Sequence, residues 1–141
     1  MDREQIKLIL PHRDDMLLLD EATLEDGVAH GLYHVRGDEF FLRGHFPGNP
    51  IVPGVIQCEI LAQSACVLIA DQCDKDSLAV YAGLDKVRFR SSVFPGDDFR
   101  TEVTLTKARH PFYFLEGKGY VGDRLVITAS FSIAITKKSD S

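Results

Sequence analysis

The chain has 141 residues, 45% of them hydrophobic and 26% charged, the balance of a globular protein long enough to bury a core. Its net charge of −5 argues against a nucleic-acid binder, and no apolar stretch reaches the ~18 residues of a membrane-spanning helix. The charge is also uneven: residues 1–85 carry 6 basic and 15 acidic side chains, net −9, whereas residues 86–141 carry 10 and 6, net +4. The basic second half suits an acidic partner or a phosphate. The start, MDREQIKLILPHR, is acidic and lacks a small-residue cleavage pattern, so a cytoplasmic protein without a secretory signal is expected.

In chain order, residues 3–10 mix charge with Ile6, Leu8, Ile9 and Leu10 and predict a short helix ending before Pro11. A loop follows, then the apolar run Met16 to Leu19 and a charged turn reaching Asp26-Gly27. Val28 to Val35 alternates enough to predict a strand. His30 and His34 share one of its faces, but no Cys or acidic cluster stands near them, so a solvated face is preferred to a metal site. Asp38 and Glu39 predict a brief turn that packs Phe40 and Phe41 under the next segment.

The next segment is the most informative. Residues 44–63 read GHFPGNPIVPGVIQCEILAQ, with three prolines and three glycines between Gly44 and Gly54. That density of breakers predicts a loop, with His45 near its start. Pro53 suits a first helical turn, and from Val55 to Cys73 no Gly or Pro appears, so one long helix is predicted. It is apolar nearly all round and must be covered on nearly all sides. Glu59 and Gln63 stand four apart, on one helical face. A carboxylate among Ile, Leu and Val loses solvation, which raises its pKa and suits it to donate a proton. The plain alternative is a structural Glu59 bonded to Gln63, and spacing alone does not show that His45 and Glu59 meet. Cys58 and Cys66 are about 12 Å apart along a continuous helix, too far for a disulfide. With Cys73 they read as small buried residues of a reducing compartment.

After the polar linker QCDKDS, every segment predicts strand. Val87 and Phe89 alternate with Arg88 and Arg90. Phe99, Thr101, Val103 and Leu105 fall on one face, opposite Arg100, Glu102, Thr104 and Thr106. FYFLEGKGYV and RLVITASFSIAI flank Gly122-Asp123, a hairpin signal. The fold class is therefore α+β: five or six mostly antiparallel strands forming a curved sheet around one long helix, in a single domain over residues 1–141. A single sheet leaves an open edge and an exposed helix side, which dimerisation would cover.

These motifs carry a resemblance. PHR at 11–13 with LLLD at 17–20, GHFPGNPIVPGV at 44–55, Glu59 with Ala62-Gln63, and RFRSSVFPGD at 88–97 resemble the hot-dog-fold 3-hydroxyacyl-[acyl-carrier-protein] dehydratases of type II fatty acid synthesis. The likeness runs in order from about residue 8 to about residue 135. It implies a hot-dog fold, with an antiparallel sheet wrapped around a central helix, and a homodimer whose sheets join and whose dimers form hexamers in many members. It also implies two sites per dimer, each pairing a histidine of one subunit with a glutamate of the other, matched here by His45 and Glu59. The family's carbonyl-holding backbone N–H matches Gly54, and its glutamate-orienting residue matches Gln63. The partner implied is an acyl carrier protein bearing the substrate. No cofactor and no metal are implied, and neither a nucleic acid nor a membrane is an expected partner.

The chemistry is coherent with those residue types. A neutral imidazole suits abstraction of the C2 proton, a protonated carboxylic acid suits the departing 3-hydroxyl, and a helix N-terminus suits the developing enolate oxygen. Candidates for an apolar acyl tunnel are Phe46, Ile51, Ile60 and Phe89. Lys86, Arg88 and Arg90 are candidates for contact with the acidic carrier or its pantetheine phosphate. Two departures bear on the substrate: Asp14, Asp15 and Met16 follow PHR where the family has an apolar Pro-Phe pair, and the aromatics of HPFYFLEGKG are expected to shorten or reshape the tunnel. The competing readings are a hot-dog thioesterase or enoyl isomerase and a non-catalytic acyl-chain-binding subunit.

Overall fold

The computed structural model describes residues 1–8, 10, 16–42, 51–70 and 77–137. Asp2 caps a one-turn helix α1 (Arg3–Ile6) through a reciprocal pair of bonds with Gln5, and only Ile6 of it is buried. The predicted helix over 3–10 is thus shorter than expected. Residues 20–26 hold a second difference. The expected charged turn is strand β1 (Glu21–Glu25), hydrogen-bonded along β2 (Val28–His34) through Asp26-Gly27. Its alternation was invisible because only Ala22 is buried; an edge strand with one face in water needs few apolar residues.

Strands β3 (Ser77–Phe89), β4 (Asp98–Arg109), β5 (Phe112–Val121) and β6 (Arg124–Lys137) complete a six-stranded sheet in the order β1-β2-β4-β5-β6-β3. Every neighbouring pair is antiparallel. The β5–β6 turn is Gly122-Asp123, with Gly122 at φ +61°, as a tight hairpin demands. Phe99, Thr101 and Val103 are buried as the alternation predicts. Leu105 is not: it is 38% exposed, because the register slips between Leu105 and Lys107 and the bulge breaks the period-two pattern.

The predicted single helix is two. Helix α2 (Gly54–Ser64) gives way at Ala65 to α3 (Cys66–Ile69), and Cys73 lies outside the described residues. The break has a polar cause. The Ser64 hydroxyl donates to the Ile60 carbonyl at 2.7 Å, a local bond that competes with the helical ladder, while Ala65 N–H bonds back three residues to Ala62. Cys58 and Cys66 are buried and form no disulfide among the described residues. Among the described residues no helix is long and apolar enough to cross a membrane.

Helix α2 lies across β2, β4, β5 and β6, on the face formed by the buried side chains of those strands. Ile60, Leu61, Phe99, Val103, Leu115, Ile127 and Phe131 belong to this core. Ser64 Oγ and Thr101 Oγ1 share a buried hydrogen bond at 2.6 Å, directly over Gly31. A Cβ at Gly31 would stand 2.4 Å from the Ser64 hydroxyl and 2.5 Å from that of Thr101, so only glycine allows β2 so near the helix. On the opposite side of the helix Val55 is 76% exposed and Ile56, Ala62, Val67 and Leu68 are partly buried, so among the described residues the cover anticipated on nearly all sides is incomplete.

Ahead of residue 43 the chain is held by a charged cluster. The expected brief turn is the 3-10 turn Phe40–Leu42, in which Phe40 meets Phe41 edge-on; the segment under which the two rings were expected to pack lies outside the described residues over 43–50. The Glu39 carboxylate accepts from Tyr33 OH at 2.7 Å and from the backbone N–H groups of Arg36 and Gly37 at 2.9 and 2.7 Å. Arg36 bridges Tyr33 OH and Asp20, and Asp20 also accepts from His34 N–H. Burial opposes ionisation of Glu39, but these donors outweigh it and hold its carboxyl below the usual range.

Two measurements check this account. Gly31→Ala should destabilise the protein by about 1–3 kcal/mol in a thermal melt, since two buried hydroxyls must move. Glu39→Ala should cost about 2 kcal/mol in urea unfolding at neutral pH. The folded-state pKa of Glu39 is depressed, so its stabilisation is present above the unfolded value and is lost as pH falls through the folded one. The gap between wild type and variant should therefore close in acid.

Candidate active site

Helix α2 presents Glu59 half-buried, and one side chain fixes where its carboxylate sits. Gln63, one turn on and fully buried, donates from Nε2 to Glu59 Oε1 at 3.1 Å and to the Met16 carbonyl at 2.8 Å, while its Oε1 accepts from Leu18 N–H at 2.8 Å. The apolar run Met16 to Leu19 is thereby tied to the helix, and the amide is oriented by two backbone groups before it reaches Glu59. The i, i+4 spacing read from the sequence does bring these two side chains together.

Beside Glu59 lies a cleft of about 250 Å³, bounded by Leu10, Ala62, Gln63, Cys66, Ile69, Ala79, Val80, Tyr81 and Ile133. Among the described residues its wall is apolar apart from Glu59, Gln63 and Tyr81. Of the residues expected to line a tunnel, Ile51, Ile60 and Phe89 are not in this wall; Ile60 is buried under the sheet and Phe89 is 54% exposed. Phe46 lies outside the described residues, as do His45, Asp14 and Asp15. The late aromatics do not line the cleft either. Phe112 and Phe114 point outward and Tyr113 is buried; strand alternation turned the pair away from the helix.

Phe89 instead closes on the start of α2. A Cβ at Gly54 would meet its ring at 2.6 Å, so Gly54 lets β3 and the helix N-terminus touch. Pro53 is the N-cap and contributes no side-chain hydrogen bond; a helix start leaves its first N–H groups without intrahelical partners.

Lys86, Arg88 and Arg90 are exposed and gather on one groove of about 450 Å³ on the face of the sheet away from α2. Lys118 joins them there, between Glu102 and Glu116. The strand pairing aligns Glu102, Lys118, Thr128 and Arg88 in one row across four strands, a convergence that no linear pattern displays.

The sequence reading also passed over two buried polar residues of α2. Ser64 makes the helix-breaking bond described above. Gln57, only 3% exposed, leaves its Oε1 without a hydrogen-bond partner among the described residues. Tyr81 was missed because it sits in an apolar run that reads as plain strand. Its hydroxyl donates to the Cys58 carbonyl, one residue before Glu59.

This architecture recurs among known proteins. The dehydratase heterocomplex ApeI:P from Xenorhabdus doucetiae superposes with a TM-score of 0.80 at 22% identity, covering 95% of this chain and 92% of that one. A probable thioesterase from Bartonella henselae gives 0.64 at 13% identity, covering 81% and 94%. The fold is the hot-dog fold. A model of the FabA-like domain matches residues 10–130. The 3-hydroxyacyl-[acyl-carrier-protein] dehydratase FabZ of Natranaerobius thermophilus is 41% identical over 97% of this chain and 99% of its own length. FabZ of Clostridioides difficile is 40% identical over 96% and 97%. The chain belongs to the hot-dog-fold 3-hydroxyacyl-[acyl-carrier-protein] dehydratase family.

If Gln63 anchors this site, Gln63→Leu should leave Leu18 N–H and the Met16 carbonyl unpaired. The expected loss is about 2–4 kcal/mol in urea unfolding, well above the cost of an exposed glutamine.

Proposed function

We propose that this chain dehydrates a (3R)-3-hydroxyacyl group carried on an acyl carrier protein, giving the trans-2-enoyl thioester and water, in lipid biosynthesis. The observation that carries the proposal is Glu59, held by Gln63 at the edge of an apolar cleft, in a chain that matches FabZ relatives along nearly its whole length.

In this reading His45 removes the C2 proton of the substrate and Glu59 donates a proton to the 3-hydroxyl, which leaves as water. The electron pair released at C2 passes through the enolate to form the C2–C3 double bond. The Gly54 N–H at the start of α2 faces the thioester carbonyl, where the helix dipole favours the charge that develops on oxygen. Gln63 orients Glu59, and no cofactor takes part. The acyl chain enters the cleft beside Glu59. Lys86, Arg88 and Arg90 attract the acidic carrier or its phosphate, chiefly by steering.

The working unit in this proposal is a homodimer, and dimers join further into a trimer of dimers. Each site pairs His45 of one copy with Glu59 of the other. Support comes from two surfaces that one chain leaves uncovered: β3 at the sheet edge, exposed along most of its length, and the open side of α2 around Val55. A second copy adding its β3 would satisfy the edge and cover the helix together.

The test is enoyl product formation from carrier-bound 3-hydroxyacyl groups of several lengths. Wild type should form the enoyl thioester. His45→Ala and Glu59→Gln should each lower kcat by about a hundred- to ten-thousand-fold while remaining dimeric in size-exclusion chromatography. Release of free carrier thiol without enoyl product would assign a thioesterase instead.

A further inference from the structure

The wall of the cleft beside Glu59 includes a tyrosine that is fastened to the helix bearing Glu59. Tyr81 belongs to the edge strand β3, but its ring turns inward. It lies 5.7 Å from the Phe131 ring with the planes inclined by 60° and stands in register with Ile133, another wall of the cleft. Its hydroxyl donates to the carbonyl of Cys58 in α2. Burial, the largest influence, together with the nearby Cys58 and Glu59, raises the phenol pKa, so the hydroxyl stays a donor around neutral pH. The carbonyl has a second lone pair for the helical ladder. Immediately after Tyr81 the β3–β6 register shifts, between Tyr81 and Gly83; such a bulge re-aims a side chain relative to its neighbours.

A phenylalanine at this place would fill the same volume and remain free to change rotamer under pressure from a ligand. The tether removes that freedom. Moving the Tyr81 ring aside breaks a half-buried hydrogen bond and leaves a polar hydroxyl unpaired in an apolar wall. The wall therefore resists a chain that reaches it, whereas Ala62 and Ala79 on neighbouring parts of the cleft leave room.

We propose that Tyr81 is the specificity-determining residue of this chain: its tethered ring is the stop that limits how long an acyl group the Glu59 cleft accepts. The inference rests on the reading that this cleft receives the acyl chain, but not on the reaction that follows.

The test is binding, read by titration calorimetry with 3-hydroxyhexanoyl- and 3-hydroxydodecanoyl-pantetheine in which an amide replaces the thioester. Wild type should prefer the shorter ligand. Tyr81→Leu should raise the affinity ratio of the longer over the shorter ligand about tenfold or more, the scale of discrimination an apolar pocket gives per methylene. Tyr81→Phe keeps the ring without the tether and should raise the ratio about two- to fivefold. An unchanged ratio in a folded Tyr81→Leu protein overturns the proposal. Should that variant not fold, Tyr81→Phe decides: a rise supports the tethered stop and no change overturns it. Failure of wild type to bind either ligand also overturns it. Turnover of the carrier-bound substrate is scored separately. A protein that shows the ratio shift but forms no enoyl product keeps the stop and loses the dehydratase reading; a dehydratase without the shift loses the stop alone.

Discussion

A helix that is apolar around most of its circumference cannot stand in water, and covering α2 is the constraint from which the rest of this structure follows. A flat sheet would touch it along one stripe. The sheet here curves, with register slips in β3 and β4 that increase local twist, and it brings four strands against the helix. Burial of Ile60, Leu61 and Cys66 against Phe99, Leu115 and Ile127 supplies the main driving force at roughly 25 cal/mol per Å² of apolar surface. That force is non-directional, however, and does not set where along the sheet the helix stops.

Polar groups set it. Gln63 bonds to Met16 and Leu18, and Ser64 bonds to Thr101 across Gly31. A buried amide or hydroxyl displaced from its partners costs more than a lost apolar contact, because nothing in the core replaces water. These few bonds fix the axial position and rotation of α2, and with them the direction in which Glu59 faces. The Ser64 bond also ends the helix near the cleft, so one residue contributes to register, to helix length and to the shape of the site.

Charge is sorted in the same geometric way. Acidic residues dominate the first half of the chain and basic residues the second. The paired strands carry Lys86, Arg88, Arg90 and Lys118 to one groove on the outer face, flanked by Glu102 and Glu116. The apolar inner face and the charged outer face belong to the same strands, separated only by the alternation of side chains. Near residue 40 the Asp20–Arg36–Tyr33–Glu39 cluster serves a different purpose. It satisfies a buried tyrosine and a turn at once, and so anchors the chain just ahead of the motif that contains His45.

The sequence alone determined the class of fold, the antiparallel strands after residue 77, the Gly122-Asp123 turn and the family, because side-chain period, turn chemistry and a dense Pro/Gly motif are local signals that survive in one dimension. It also placed Glu59 and Gln63 on one helical face. Strand β1 was not legible, since an edge strand with one buried residue has no pattern to read. The helix break at Ala65 was not legible either, since Ser64 bends the chain only when its hydroxyl finds Ile60 and Thr101. Leu105 left its predicted face through a bulge, and Phe112 and Phe114 point outward by a strand parity that a list of aromatics does not convey. The cleft that joins Glu59 to Tyr81 and Ile133, and the row that joins Glu102, Lys118 and Arg88, were decided by tertiary structure alone. Their members are separated by tens of residues along the chain and become neighbours only through strand register and the packing of α2 against β3 and β6.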